Sequence, residues 1–159
     1  MAEDWRDDRV GAAERGENPT VLARLRTGWA VIGDFQHLPG YSLLLYHDAS
    51  VDQLTELPRA ERAAFLSDLA LLGEAVQAAC RELDSAFRRI NYEVLGNMLR
   101  HLHGHVHARY DWEPEPYRSG PVWRYHDRSD LAHLLDSRHA RLRGRIAHHL
   151  TRITADAYR

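Results

Sequence analysis

The sequence carries a single cysteine, Cys80, in 159 residues. No disulfide framework can form within one chain, which fits a reducing compartment and makes the cytoplasm the expected location. Cys80 falls inside a helical pattern and reads as a small buried residue. Neither sign of charge is in excess: 21 basic and 23 acidic side chains give a formal net charge of −2. Such a chain has no field to gather nucleic acid or an anionic membrane, so neither is expected as a partner. No apolar run approaches the ~18 residues that a membrane span needs. Residues 1–18 are charged and lack the apolar core of a secretory signal; they read as a poorly ordered leader with room for a short helical turn. Residues 19–159 suit one domain with a sizeable core, and no internal repeat divides them.

What the sequence does have is histidine at period two. The stretch His101-Leu102-His103-Gly104-His105-Val106-His107-Ala108-Arg109-Tyr110 places four imidazoles at alternate positions. In a strand, alternate residues share a face. Leu102, Val106 and Ala108 would then pack on the other face, and the imidazoles would line a cleft. Upstream, Asn91-Tyr92-Glu93-Val94-Leu95-Gly96-Asn97 reads as another strand ending in a Gly-Asn turn. A row of neutral imidazoles serves either nucleophilic chemistry or a metal site, since imidazole is also a common zinc ligand.

The rest of the chain supplies a frame. Residues 20–26 and 29–32 alternate as strands around a Thr27-Gly28 turn. A loop from Asp34 to Gly40 follows, in which Pro39-Gly40 presets a turn, and 41–46 is an apolar third strand. Pro58 fits an early helical position, and Phe65, Leu69, Leu72, Val76, Ala79 and Leu83 form an apolar stripe until Asp84-Ser85. Residues 87–95 and 102–109 are the fourth and fifth strands, 111–120 is a loop, and the aromatic 121–125 is ambiguous. A second helix is expected over about 130–154, with Leu131, Leu134, Leu135, Leu142, Ile146 and Leu150 inward. Its arginines and His148-His149 would face solvent. These elements make an α+β domain, an antiparallel sheet with helices against it.

The stretch from Asn91 to Asn97 followed by His101-Leu102-His103 resembles the histidine triad (HIT) family, and more narrowly its bacterial diadenosine tetraphosphate hydrolase-like branch. The likeness reaches upstream to Leu38-Pro39-Gly40-Tyr41-Ser42-Leu43-Leu44-Leu45 and downstream to Arg109-Tyr110. It implies a five-stranded antiparallel sheet with one long helix packed on it, an additional C-terminal helix, and a homodimer. In the family a Gly-Asn turn ends shortly before the first triad histidine, and an arginine lies four residues after the last. Asn97 precedes His101 by four and Arg109 follows His105 by four, so the triad is His101, His103 and His105. His107 stands where the family prefers an aliphatic residue, Ala108 where it prefers proline, and Tyr46-His47 where it has Pro-Lys.

The resemblance implies chemistry at the α-phosphate of a nucleotide conjugate, with His103 as nucleophile, His101 as its support and His105 as donor to a phosphate oxygen or the departing group. The backbone around Asn97, Met98 and Leu99 would bind phosphate oxygens as a small anion nest. Asn91 would reach phosphate or ribose, and Asp34 the ribose hydroxyls. Trp29, Ile32 and Leu45 would contact the base of an AMP-type purine nucleotide. No cofactor or metal ligand set is expected, although Mg²⁺ could accompany a polyphosphate substrate. A nucleotidyl transferase with a small-molecule acceptor, a non-catalytic nucleotide-binding module and a metal-binding protein are the competing readings.

Overall fold

In the computed structural model, which describes residues 4–159, a six-residue helix, α1 (Arg9–Glu14), precedes the sheet. This corrects the expectation of a poorly ordered leader. Asp8 caps the helix by accepting the Gly11 N–H, and Val10, Ala12 and Ala13 are buried. Val10 packs with Val31 and Leu45 of the sheet, and that contact ties the leader down.

The sheet begins as a hairpin of β1 (Val21–Arg24) and β2 (Gly28–Ile32), continues into β3 (Ser42–Tyr46), and adds β4 (Phe87–Glu93) and β5 (His103–Tyr110) after the long helix α2 (Arg59–Leu83). The spatial order is β1-β2-β3-β5-β4, and every pair is antiparallel. The last strand in the sequence is therefore an inner one: β5 lies between β3 and β4, with His105 opposite Leu43 on one side and Glu93 on the other.

All eight residues of β5 are buried, and the two faces have different owners. Leu102, just before the strand, with Val106 and Ala108 within it, joins Phe65, Leu69, Leu72, Val76 and Ala79 of α2 in the main core. Leu69 reaches the strand at Gly104, where a Cβ would lie 2.6 Å from its Cδ1. Only glycine leaves that space, so α2 can sit low on the sheet. The odd positions, His103, His105, His107 and Arg109, look the other way. By length and composition α2 could cross a membrane, against the expectation that no run would qualify. Half of its apolar window is buried within the protein, as befits a core helix.

The C-terminal helix α3 (Ala140–Ala157) starts ten residues later than expected. Asp130 and Asp136 each accept a backbone N–H two residues on, from Ala132 and Arg138, and so each caps the start of a separate short 3₁₀ turn, 131–133 and 137–139, in place of one continuous helix. The apolar spacing at 131–135 is thus not a helical face, and Leu131 is 78% exposed. Leu142, Ile146 and Leu150 do pack in the core. His149 and Arg145 both engage Glu82 of α2, so they join the two helices rather than simply facing solvent. Asp68, buried on α2, accepts from the Thr27 N–H and hydroxyl and from the Tyr158 hydroxyl, which locks the first hairpin turn to the end of α3.

Arg109 is 2% exposed, yet every arm of its guanidinium has a partner. Nε and Nη2 donate to the Glu113 carboxylate, Nη1 to Asn91 Oδ1 and the Gly120 carbonyl, and Nη2 also to the Tyr117 carbonyl. Glu113 accepts further from the Tyr110 N–H and the Tyr125 hydroxyl. Burial alone would push its carboxyl up, but the Arg109 contact and these donors hold it below the usual range. Removing one partner of such a buried pair strands a charge. Glu113→Ala should therefore cost about 3–5 kcal/mol of stability in urea denaturation. A loss under ~1 kcal/mol, the level of an exposed ion pair, would show that the pair is not what anchors this loop.

Candidate active site

A cavity of about 620 Å³ opens on the odd face of the sheet. Its floor holds His103, His105 and His107, and one wall is apolar, with Val31, Leu43 and Leu45 beside Phe35 and Leu38. Leu95 to Leu99 form a second wall, and Trp123, Arg128 and Ser129 a third.

The imidazoles are oriented by backbone and phenol. His103 Nδ1 lies 2.6 Å from the His101 carbonyl oxygen, which fixes Nδ1 as the protonated nitrogen and leaves Nε2 as the free lone pair. His101 Nε2 in turn donates to the Tyr46 carbonyl at 2.9 Å. The Tyr46 ring is held by Glu61 through its hydroxyl and has His47 against it, which gives the unusual Tyr46-His47 pair a structural job. His105 Nδ1 meets the Tyr41 hydroxyl at 2.9 Å. Burial pushes the Tyr41 phenol well above its ordinary range, so it stays protonated and can donate to Nδ1. His105 then carries its proton on Nε2.

Desolvation, aided by the neighbouring His103 and His107, pushes His105 down to about 3, and desolvation also lowers His101. At neutral pH both rings are neutral. His107 is stacked on Tyr41 at 4.6 Å between centroids, and Trp123 presents its edge to both His105 and His107. His107 thus backs the tyrosine that orients His105. Its Nε2 is 3.4 Å from Glu93 Oε2, and neither atom has a well-aligned hydrogen-bond partner among the described residues.

The other sequence-derived positions divide. Asp34, Asn97, Met98, Leu99 and Leu45 line the cavity. Gly96, at φ +94°, turns the chain so that the Met98 side chain stands 96% exposed. Asn91 does not line the cavity: its amide oxygen is taken by Arg109, and it borders a separate groove. Trp29 and Ile32 do not line it either. Trp29 packs beside Val31 under the Arg24 guanidinium, while Ile32 is fully buried; Val31 and Leu43 take their place. Asp34 is not free, because Arg9 of α1 makes a two-pronged ion pair with it. Sequence reasoning missed Arg9, Tyr41 and Trp123. Tyr41 alone had a local signal, its place at the head of the third strand.

Neutral, buried histidines set an acid limit. In the unfolded chain His105 titrates near 6.5, and in the fold far lower. Below 6.5 the unfolded state binds more protons, so stability is full above that pH and falls as pH drops toward the folded value. Each such histidine contributes up to about 1.4 kcal/mol per pH unit. Between pH 7 and pH 5, wild type should lose about 2 kcal/mol more than His105→Gln in urea denaturation. Equal losses would mean that His105 is not held neutral by the fold.

The architecture is shared with known proteins. The protein resembles histidine triad proteins of Sinorhizobium meliloti (23% identity, TM-score 0.67, covering 86% of this chain and 93% of that one) and Bradyrhizobium japonicum (17%, 0.65, 89% and 95%). A third, from Marinobacter aquaeolei, is 19% identical with a TM-score of 0.62, covering 86% and 88%. No curated protein matches. The HIT domain model matches residues 20–112, which span the whole sheet, α2 and the four histidines. By that match, over more than half its length, the chain belongs to the HIT domain family.

Proposed function

We propose that this protein cleaves the α-phosphate linkage of a nucleotide conjugate through a covalent intermediate on His103. The observation that carries this reading is the 2.6 Å contact between His103 Nδ1 and the His101 carbonyl. It commits one nitrogen to the backbone and leaves the other as a nucleophile within the cavity. Attack of Nε2 on phosphorus forms a P–N bond and breaks the bond to the leaving group. The leaving group takes the bonding electron pair, and His105, neutral and protonated at Nε2, steadies the charge that develops on it by donating a hydrogen bond. Water then cleaves the P–N bond and releases a nucleoside monophosphate.

The remaining parts fit this assignment. The amides around Asn97, Met98 and Leu99 suit the non-bridging oxygens, whose charge is what catalysis must stabilise. The apolar wall of Val31, Leu43 and Leu45 suits the base of an AMP-type purine nucleotide, and Asp34 the ribose hydroxyls once Arg9 yields. Dinucleoside polyphosphates, as for the diadenosine tetraphosphate hydrolase-like branch, nucleoside phosphoramidates and adenylylated metabolites all present this linkage. With polyphosphates, Mg²⁺ would neutralise the leaving portion. The working unit is a homodimer in the cytoplasm. A small-molecule acceptor in place of water would make the same intermediate a nucleotidyl transferase, and product identification separates the two.

His103→Ala should lose turnover of diadenosine polyphosphates and adenosine phosphoramidate by several orders of magnitude while still binding AMP. His107→Ala should keep most activity. A dead His105→Ala beside an active His103→Ala would move the nucleophile to His105. Nucleotide binding without turnover of any conjugate would leave a binding module.

Asp34→Ala should weaken AMP by roughly 2–4 kcal/mol, from ~1.5–3 kcal/mol per bond to a charged group less what water restores. It should hardly change binding of 2′,3′-dideoxy-AMP. The four titrations form a double-mutant cycle. A coupling near zero, with wild type binding both ligands alike, would remove Asp34 from the ribose site.

A further inference from the structure

A second cluster of ligand-type side chains lies at the rim of the cavity and plays no part in the chemistry above. His37 comes from the loop after β2, and Asp127 and His133 from the segment before α3. One ligand atom of each lies within 4.8 Å of the other two. His37 Nδ1 and His133 Nε2 are 3.2 Å apart, and their rings are nearly perpendicular, at 83°. Two nitrogens bound at 2.0–2.1 Å to one tetrahedral zinc stand about 3.3–3.4 Å apart. The pair is therefore already spaced for a shared ion.

We propose that His37, Asp127 and His133 form a zinc site that clamps the 126–135 segment over the cavity mouth. Two imidazoles and one carboxylate suit Zn²⁺ rather than Mg²⁺, which prefers an all-oxygen shell. Three protein ligands leave a fourth position for water. The backbone holds the two ligand-bearing segments in place before any ion arrives. The Gln36 N–H donates to the His133 carbonyl at 2.7 Å and the Leu135 N–H to the Asp34 carbonyl at 2.8 Å, with Phe35 paired to Leu134. Tyr125 packs edge-on against the His37 ring, 4.3 Å between centroids. His37 lines the cavity, and so do Arg128 and Ser129, which directly follow Asp127. Metal binding would thus fix a cavity wall without touching the triad, and the site stands whether or not His103 is a nucleophile.

The test is a titration of chelator-stripped, untagged, full-length protein with Zn²⁺ and with Co²⁺ as an optical probe. One Zn²⁺ per chain should bind, Co²⁺ should show the intense visible bands of a four-coordinate site, and Zn²⁺ should raise the Tm. Asp127→Asn alters an exposed side chain and so leaves folding intact; it should weaken Zn²⁺ by about tenfold or more. His133→Ala, with its fold checked by circular dichroism, should abolish stoichiometric binding. His101→Ala and His103→Ala should bind as wild type does. The proposal is overturned if wild type binds no Zn²⁺, which would leave an imidazole–imidazole hydrogen bond. It is equally overturned if Asp127→Asn binds like wild type, or if binding disappears in His103→Ala, which would assign the ion to the triad.

Discussion

The buried guanidinium of Arg109 is the constraint on which the site rests. A cation this deep is tolerable only if its donors are used, and the protein surrounds it with a carboxylate, a side-chain amide and two main-chain carbonyls. Those acceptors come from β4 and from the loop between Glu113 and Gly120. Meeting the needs of one side chain therefore folds that loop back on the sheet. Tyr125 is drawn in by its hydroxyl on Glu113, and Trp123 comes with it to stand over His105 and His107. The shape of that side of the cavity, and the packing of Trp123 on His105 and His107, share this single origin. The choice of arginine matters here: every basic side chain other than histidine in this sequence is arginine, and an ammonium could not bind this forked set of acceptors.

The histidine strand solves a second problem, that of keeping several imidazoles close together. Three rings within a few ångströms would repel one another if protonated. Burial makes the charged form of His101 and His105 unfavourable, and the fold gives each of the three rings an uncharged partner: a carbonyl for His101, a carbonyl for His103, a phenol for His105. Each partner also selects a tautomer, so these contacts define which nitrogen is a base and which is a donor.

How much of this was legible in the sequence follows from how local each signal is. Period-two alternation is a property of adjacent residues, and it placed the histidines on one face and Leu102, Val106 and Ala108 on the other. The stripe of α2 was equally local. The helix expected from 130 was misplaced because the leucine spacing at 131–135 imitates a helical face, whereas Asp130 and Asp136 each cap the start of a separate 3₁₀ turn by accepting backbone N–H groups. Asn91 looked available for a ligand because nothing near it in sequence says that Arg109, eighteen residues on, needs an acceptor. The docking of the leader was missed for a similar reason: Val10 finds its apolar partners only once β2 and β3 have paired. The grouping of His37 with Asp127 and His133 has no spacing rule at all and exists only in three dimensions.

The pairing of Arg9 with Asp34 at the edge of the cavity gives ionic strength an unusual part to play. Added salt screens an anionic ligand from a cationic site and ordinarily weakens its binding. Here the same screening also loosens an internal ion pair, of which both members are partly exposed, and so releases a carboxylate that a neutral polyol could use. The two effects oppose each other. A charged phosphate and an uncharged sugar would then respond to salt in opposite directions at neighbouring points of one cavity, and a ligand carrying both would depend on salt less steeply than the phosphate alone.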